Sequence, residues 1–254
     1  ESKRLLARAV LQMPEVKRSL DDGWFVVSRG VTPAYILEEL TGQAGDKGNS
    51  TAGIVAEGRL ASVIMEDRLG PWVFENGKLS ETPAPQALGA FRARDVSIKG
   101  ANAVDPNGNI GVLAADGGGG TVGGIWGTLT ARGAHWVAPV SLERLVPDVI
   151  EAARECGNHL WDLTMGQSAG LMPVVNAQVV TEIEAIAILS GVKATHVASG
   201  GVSGSEGAVM LSLTGEEADV RAAFEMLEGI KGEEQFESPR LIPYIREPET
   251  APSA

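Results

Sequence analysis

Val96-Ser97-Ile98-Lys99-Gly100-Ala101-Asn102-Ala103-Val104-Asp105-Pro106-Asn107-Gly108-Asn109, followed by Asp116-Gly117-Gly118-Gly119-Gly120-Thr121-Val122-Gly123-Gly124, is the stretch whose reading decides the fold. Its apolar start reads as a buried strand, and the polar groups Lys99, Asn102 and Asp105 follow at once. In an open parallel sheet the carboxyl ends of strands face the binding crevice, so polar side chains placed there face a ligand. Asp105-Pro106-Asn107-Gly108 is also a favourable turn, which gives Asp105 a competing structural role. Successive glycines let the backbone approach a ligand closely, and they aim the N–H groups of Gly117, Gly118, Gly119, Gly120 and Thr121 into one concavity. The loop is neither a P-loop nor a dinucleotide fingerprint, because the lysine of the first and the spacing of the second are missing.

Working outward, Trp24-Phe25-Val26-Val27 reads as a second buried strand. Ser28-Arg29-Gly30-Val31-Thr32-Pro33 joins it to a helix over 34–40. Thr32 is the expected N-cap, with Pro33 in the first helical position. Free N–H groups at a helix start favour an anion, so Ser28, Arg29, Gly30 and Thr32 join the candidate ligand-binding residues. Beyond the glycines, residues 136–140 read as a strand and 145–156 as a helix. Strands alternating with helices predict an open, mostly parallel α/β sheet.

Residues 41–90 read as an insertion or lid. They contain a strand at 60–65 and a hairpin over 72–79 turned at Asn76-Gly77. From about residue 170 the order becomes helix, strand, strand, helix, with Thr181 capping the first helix. That order predicts a C-terminal α+β subdomain of ferredoxin-like type. The expected organisation is an α/β ligand-binding domain over 1–168, the α+β subdomain over 169–236, and an extended or disordered tail over 237–254.

The segments around 99–106, 107–109 and 116–119 together resemble ribose-5-phosphate isomerase type A and its wider superfamily of sugar-phosphate deaminases, CoA transferases and sugar-phosphate sensors. The isomerases carry Asp-Gly-Ala-Asp-Glu-Val-Asp-Pro, then Asn-Leu-Asn, then Lys-Gly-Gly-Gly. Val27-Ser28-Arg29-Gly30-Val31-Thr32 is similar to the family's phosphate loop, and 134–145 resembles the strand after the glycines. The resemblance covers 24–40 and 96–146. It implies an isomerase/CoA-transferase-like sheet and the location of a site. Lys99 stands where the isomerases have an aspartate, Asn102 and Ala103 replace an acidic pair, and Asp116 replaces a lysine. The family's catalytic glutamate has no counterpart in 121–126. Aldose–ketose isomerisation needs such a base, so the resemblance does not carry the isomerase reaction across.

Composition narrows the function classes. The formal net charge is −12, and the 21 Lys and Arg residues are scattered, which disfavours nucleic acid and anionic membranes. One cysteine, Cys156, excludes an internal disulfide, and the spacing of His135, His159 and His196 forms no local metal motif. No metal or cofactor is expected. No apolar run approaches a bilayer span, and Glu1-Ser2-Lys3-Arg4 enters an amphipathic pattern rather than a signal peptide, so a cytoplasmic protein is expected. Met165-Gly166-Gln167-Ser168-Ala169-Gly170 does not match a nucleophile elbow. The loop 199–207 could close on a ligand through Glu206.

Together these residues predict a binder of a small anionic metabolite, a sugar phosphate or carboxylate. Lys99, Asp105 and Asp116 are the candidate catalytic groups, in an isomerase- or lyase-type enzyme without the isomerase base. The alternative is a non-catalytic metabolite sensor or an oligomeric assembly protein. A homo-oligomer is expected in either case.

Overall fold

Leu5, Leu6, Ala9 and Val10 recur at helical spacing and form the buried face of α1 (Ser2–Gln12) in the computed structural model, which describes residues 1–243. Met13 leaves the helix in extended conformation. Pro14 then opens α2 (Pro14–Asp21), where its missing N–H has no intrahelical partner to lose. The apolar run after the Asp-Asp-Gly turn becomes β1 (Trp24–Val27), followed by α3 (Val31–Thr41).

Two hairpins come next. β2 (Gly53–Ala56) and β3 (Arg59–Ser62) turn at Glu57 and Gly58, and β4 (Trp72–Glu75) and β5 (Lys78–Ser80) turn at Asn76 and Gly77. Both turns hold two residues at positive φ, as a tight twisted hairpin requires. The chain continues through α4 (Ala84–Ala90), β6 (Val96–Ile98), β7 (Ala103–Val104), β8 (Ile110–Ala114), α5 (Gly120–Arg132) and β9 (His135–Pro139). Then come α6 (Val149–Arg154), β10 (Gly170–Val174), β11 (Gln178–Val180), α7 (Glu182–Ser190), β12 (Lys193–Ser199), β13 (Val209–Thr214) and α8 (Glu217–Glu228).

The main sheet has six strands in the order β11-β9-β6-β1-β4-β5. The first four are mutually parallel, and the β4–β5 hairpin adds an antiparallel edge. β7, β8 and β10 form a separate antiparallel sheet. The period of two along the strands sorts side chains to the two faces. Phe25, Val27, Val96 and Ile98 pack with α1, α3 and α7 on one side. Val26, Val73, Trp136 and Ala138 pack with α4, α5 and the three-stranded sheet on the other. Complete burial of an aliphatic or aromatic side chain of this kind stabilises by about 1.5–3 kcal/mol.

Several expectations change. Gly30, not Thr32, is the N-cap of α3, and Thr32 lies inside the first turn without a capping hydrogen bond. Gly30 adopts φ 156° and donates its N–H to Ser50 O, a conformation that a threonine would resist. The polar stretch after β6 contains a hairpin that was not expected, in which Ala103–Val104 and Ile110–Ala114 pair around the Asp105 turn. The stretch 41–90 is not a single insertion. Its second hairpin completes the main sheet, whereas β2–β3 stands apart.

The stretch 169–236 does not form a separate ferredoxin-like unit. β10 pairs with β8 and β11 with β9, so the chain is threaded through both sheets, and α7 packs on α1. Among the described residues, β12 and β13 pair only with each other. Thr181 does cap α7: its Oγ1 accepts from Ile183 N, while Glu184 Oε2 accepts from Thr181 N at 2.8 Å. Of the expected tail, Leu241 bridges to Val63, and residues 244–254 lie outside the described residues.

Candidate functional site

The carboxyl ends of β1 and β6 open into a cleft of about 810 Å³. Arg29 follows β1 and Lys99 follows β6. The Lys99 ammonium donates to the Arg29 backbone carbonyl at 3.2 Å, which ties the two strand ends together. The starts of two helices, Gly30–Thr32 of α3 and Gly119–Val122 of α5, reach the same cleft. Their aligned peptide dipoles make this end of the sheet favourable for negative charge.

The glycine loop is organised by Asp116. Its Oδ1 accepts from Gly118 N at 2.9 Å and Gly120 N at 3.1 Å, and its carbonyl accepts from Gly119 N at 3.0 Å. Gly119 and Gly120 sit at φ 80° and 56°, and a β-carbon on Gly123 would lie 1.8 Å from Gly118 O. The glycines therefore serve first to make this tight turn. The expected cradle narrows accordingly: the N–H groups of Gly118, Gly119 and Gly120 are already used. Among the described residues, those of Thr121 and Val122 have no protein acceptor. Asp116 Oδ2 likewise makes no hydrogen bond among the described residues.

Among the described residues, five cations line the cleft: Lys3, Arg29, Arg68, Lys99 and Arg144. Three acids among the described residues, Asp116, Glu143 and Glu206, share the lining. Glu143 Oε1 pairs with Lys3 at 3.3 Å and with Arg144 at 3.5 Å. Arg29, Arg68 and Lys99 have no ion pair among the described residues. Backbone carbonyls hold them instead. Arg29 donates to Leu69 O and Gly70 O, and Arg68 donates to Val63 O. Removal from water lowers the Arg29 pKa, with a further push from Arg68. Burial lowers the Lys99 pKa to about 8, and the Arg144 guanidinium adds to the effect.

The remaining walls come from distant parts of the chain. Ile54, Val55, Leu60 and Ser62 of the β2–β3 hairpin face the cleft, and Ser62 Oγ donates to Gln167 Oε1. Phe236 and Ile242 belong to an extended segment whose backbone bonds to the end of β3. Glu206 and Gly207 enter from the β12–β13 loop. A more open groove of about 740 Å³ between β13 and α8 has a single cation, Arg221, and Glu217 pairs with it.

Of the residues singled out from sequence, Arg29, Gly30, Thr32, Lys99, Asn102, Asp116, Gly119, Gly120 and Thr121 converge on this cleft. Asn102 Oδ1 accepts from Leu113 N at 3.1 Å, so half of its amide is structural. Ser28 is buried, and neither it nor Gly117 and Gly118 lines the cleft.

Asp105 is also off the cleft and buried. Its carboxylate accepts from Asn107 N, Asn109 N, Asn109 Nδ2 and Val149 N, at 2.9–3.0 Å. Burial pushes its pKa up, but those hydrogen bonds outweigh it and hold the group below the usual carboxylate value. Asp105 thus fastens the β7–β8 turn to the start of α6, and it is placed for structure rather than proton transfer.

Sequence reasoning missed Arg68, Arg144 and Gln167. Arg144 follows the parallel strand β9, and the strand-end rule could have found it. No family model, curated protein or solved structure matches this chain.

Proposed function

We propose that the cleft binds a small anionic metabolite, a sugar phosphate or a carboxylate, and that the protein acts on it as an isomerase- or lyase-type enzyme. One observation carries this reading. In a chain of net charge −12, three cations that have no ion pair among the described residues, Arg29, Arg68 and Lys99, face one cleft beside two helix starts. Leaving buried or half-buried cations without counter-charge is costly, and an anionic ligand would supply it. Hydrogen bonds to charged groups contribute about 1.5–3 kcal/mol each. The likeness of 96–121 to a sugar-phosphate isomerase points to the same ligand class.

A thermal-shift screen of sugar phosphates and small carboxylates tests the binding step. A ligand present at 100 times its Kd stabilises by about 2.7 kcal/mol. The shift is expected to fall with added salt and to vanish in Arg29→Gln/Arg68→Gln. A screen in which no anion raises the Tm contradicts the proposal.

A second reading is a metabolite sensor. It is favoured by the state of the two candidate acid–base groups: Asp105 is fully engaged in its turn, and Asp116 Oδ1 holds the glycine loop. Stabilisation by a ligand without turnover of that ligand selects this reading.

A further inference from the structure

We propose that Lys99 is an imine-forming nucleophile whose amine condenses with the carbonyl carbon of an anionic ligand held by Arg29 and Arg68. This inference rests on the anion-binding reading and adds the ligand's second feature, a carbonyl group near its anionic group.

The setting of Lys99 differs from that of the lysines that pair with acids and from that of Lys17, which donates to the neutral Gln12 Oε1 at an exposed position. Lys3, Lys47 and Lys231 each pair with a glutamate, at 3.3, 2.7 and 2.9 Å. Lys99 is half-buried on the cleft lining, and the hydrogen bond from its ammonium goes to a neutral acceptor, the Arg29 carbonyl. The charged groups that line the cleft around it come from several elements. Arg29 follows β1, Arg68 precedes β4, Arg144 and Glu143 follow β9, Lys3 is on α1, Asp116 opens the glycine loop, and Glu206 is in the β12–β13 loop. Glu143 is divided between Lys3 and Arg144. Arg144 is fixed through Ala101 O, so cationic charge is held near the amine.

Desolvation and a neighbouring cation both favour the uncharged amine, the form that attacks a carbonyl. With a pKa of about 8, roughly a tenth of Lys99 is neutral at pH 7, far more than for an ordinary lysine. The residue also stands at the end of a buried strand, so its position is set by the sheet rather than by a mobile loop.

The step balances without a redox partner. The Lys99 Nζ lone pair forms a bond to the carbonyl carbon, and the C=O π pair moves to oxygen. A proton passes from nitrogen to that oxygen, giving a carbinolamine. The carbinolamine hydroxyl then takes a proton from solvent and the nitrogen lone pair expels it as water, leaving a protonated C=N bond. That bond draws electrons from the neighbouring carbon, which is the activation an isomerase or lyase needs at a carbon acid.

The test incubates the full chain with dihydroxyacetone phosphate and sodium cyanoborohydride, followed by peptide mapping. Reduction of the C=N bond makes the adduct permanent. Labelling of Lys99 is expected to be about tenfold faster than labelling of the other six lysines, to be slowed by inorganic phosphate, and to be absent in Lys99→Arg. Lys99→Arg keeps the cation, so its Tm should still rise with dihydroxyacetone phosphate, which also shows that the variant folds. If the wild-type Tm rises with the probe while labelling shows no preference for Lys99, the imine is overturned and the anion site stands. If the Tm does not move and Lys99 is not labelled, both readings are overturned.

Discussion

The ammonium of Lys99 donates to the backbone carbonyl of Arg29 at 3.2 Å, so two adjacent parallel strands, β6 and β1, end in a shared cationic floor. That bond fixes where the amine points but does not neutralise it.

A stability prediction follows from its pKa. The folded-state value of about 8 lies below the ordinary 10.5, so between these values the unfolded chain binds more protons. Wild-type stability therefore gains a contribution as pH rises through that window, and below pH 8 the protein carries the full penalty of the buried charge. Lys99→Met removes the penalty with little change in volume. Because the side chain keeps some exposure, the gain at pH 7 without anions is expected to be about 1–2 kcal/mol. Urea titrations of both proteins should show this gap closing by pH 10.5. A gap that is constant with pH contradicts the assignment.

The glycine loop yields a paired test. Gly123→Ala places a β-carbon 1.8 Å from Gly118 O, a backbone atom that cannot move without unmaking the turn. The expected cost is more than about 3 kcal/mol, with loss of anion binding. Gly124→Ala meets nothing within 4 Å and lies in α5. It is expected to stabilise by about 0.5–1 kcal/mol and to leave binding intact. Equal effects at the two positions would show that the turn is not built as described.

Asp105→Ala is expected to destabilise by about 2–4 kcal/mol, because it leaves Val149 N and the turn N–H groups without their acceptor. The Asp105 pKa is depressed in the folded state, so its contribution is present above the ordinary value of 3.8 and is lost as pH falls through the lower folded value. The difference between wild type and variant should therefore shrink in strong acid. Ligand affinity of the folded variant should be unchanged, since Asp105 does not line the cleft. A selective loss of affinity would return Asp105 to the site.

Asp116 separates structure from chemistry. Asp116→Asn keeps an oxygen for Gly118 N and Gly120 N, whereas Asp116→Ala removes it and is expected to cost about 1–2 kcal/mol, as lost capping interactions do. If Asp116 Oδ2 transfers a proton, Asp116→Asn binds ligand normally and loses turnover by about 100-fold or more. If Asp116 only shapes the loop, the asparagine variant keeps both.

The parallel strands β1, β6 and β9 were legible because Phe25, Val27, Val96, Ile98 and Val137 lie in short apolar runs bounded by turn residues. β7 and β11 were not, because Ala103–Val104 and Gln178–Val180 are short pieces inside longer mixed stretches. Their pairing is decided by the sheet they join. Asn76-Gly77 announced its hairpin but not that β4 would pair with β1, since register against a distant strand leaves no local mark. Lys99, Arg29 and the glycines could be placed at strand ends by pattern alone. Arg68 could not, because it reaches the cleft through an irregular segment with no apolar period. The role of Asp105 turned on Val149, a partner 44 residues away that turn propensity does not reveal.

The most direct test of the central claim is an amide chemical-shift titration of the full chain with dihydroxyacetone phosphate. The predicted result is saturable shifts confined to residues 29–32, 99–102, 119–122 and the β2–β3 hairpin, abolished in Arg29→Gln/Arg68→Gln. Saturable shifts centred elsewhere, or shifts that persist in that double variant, would contradict the account.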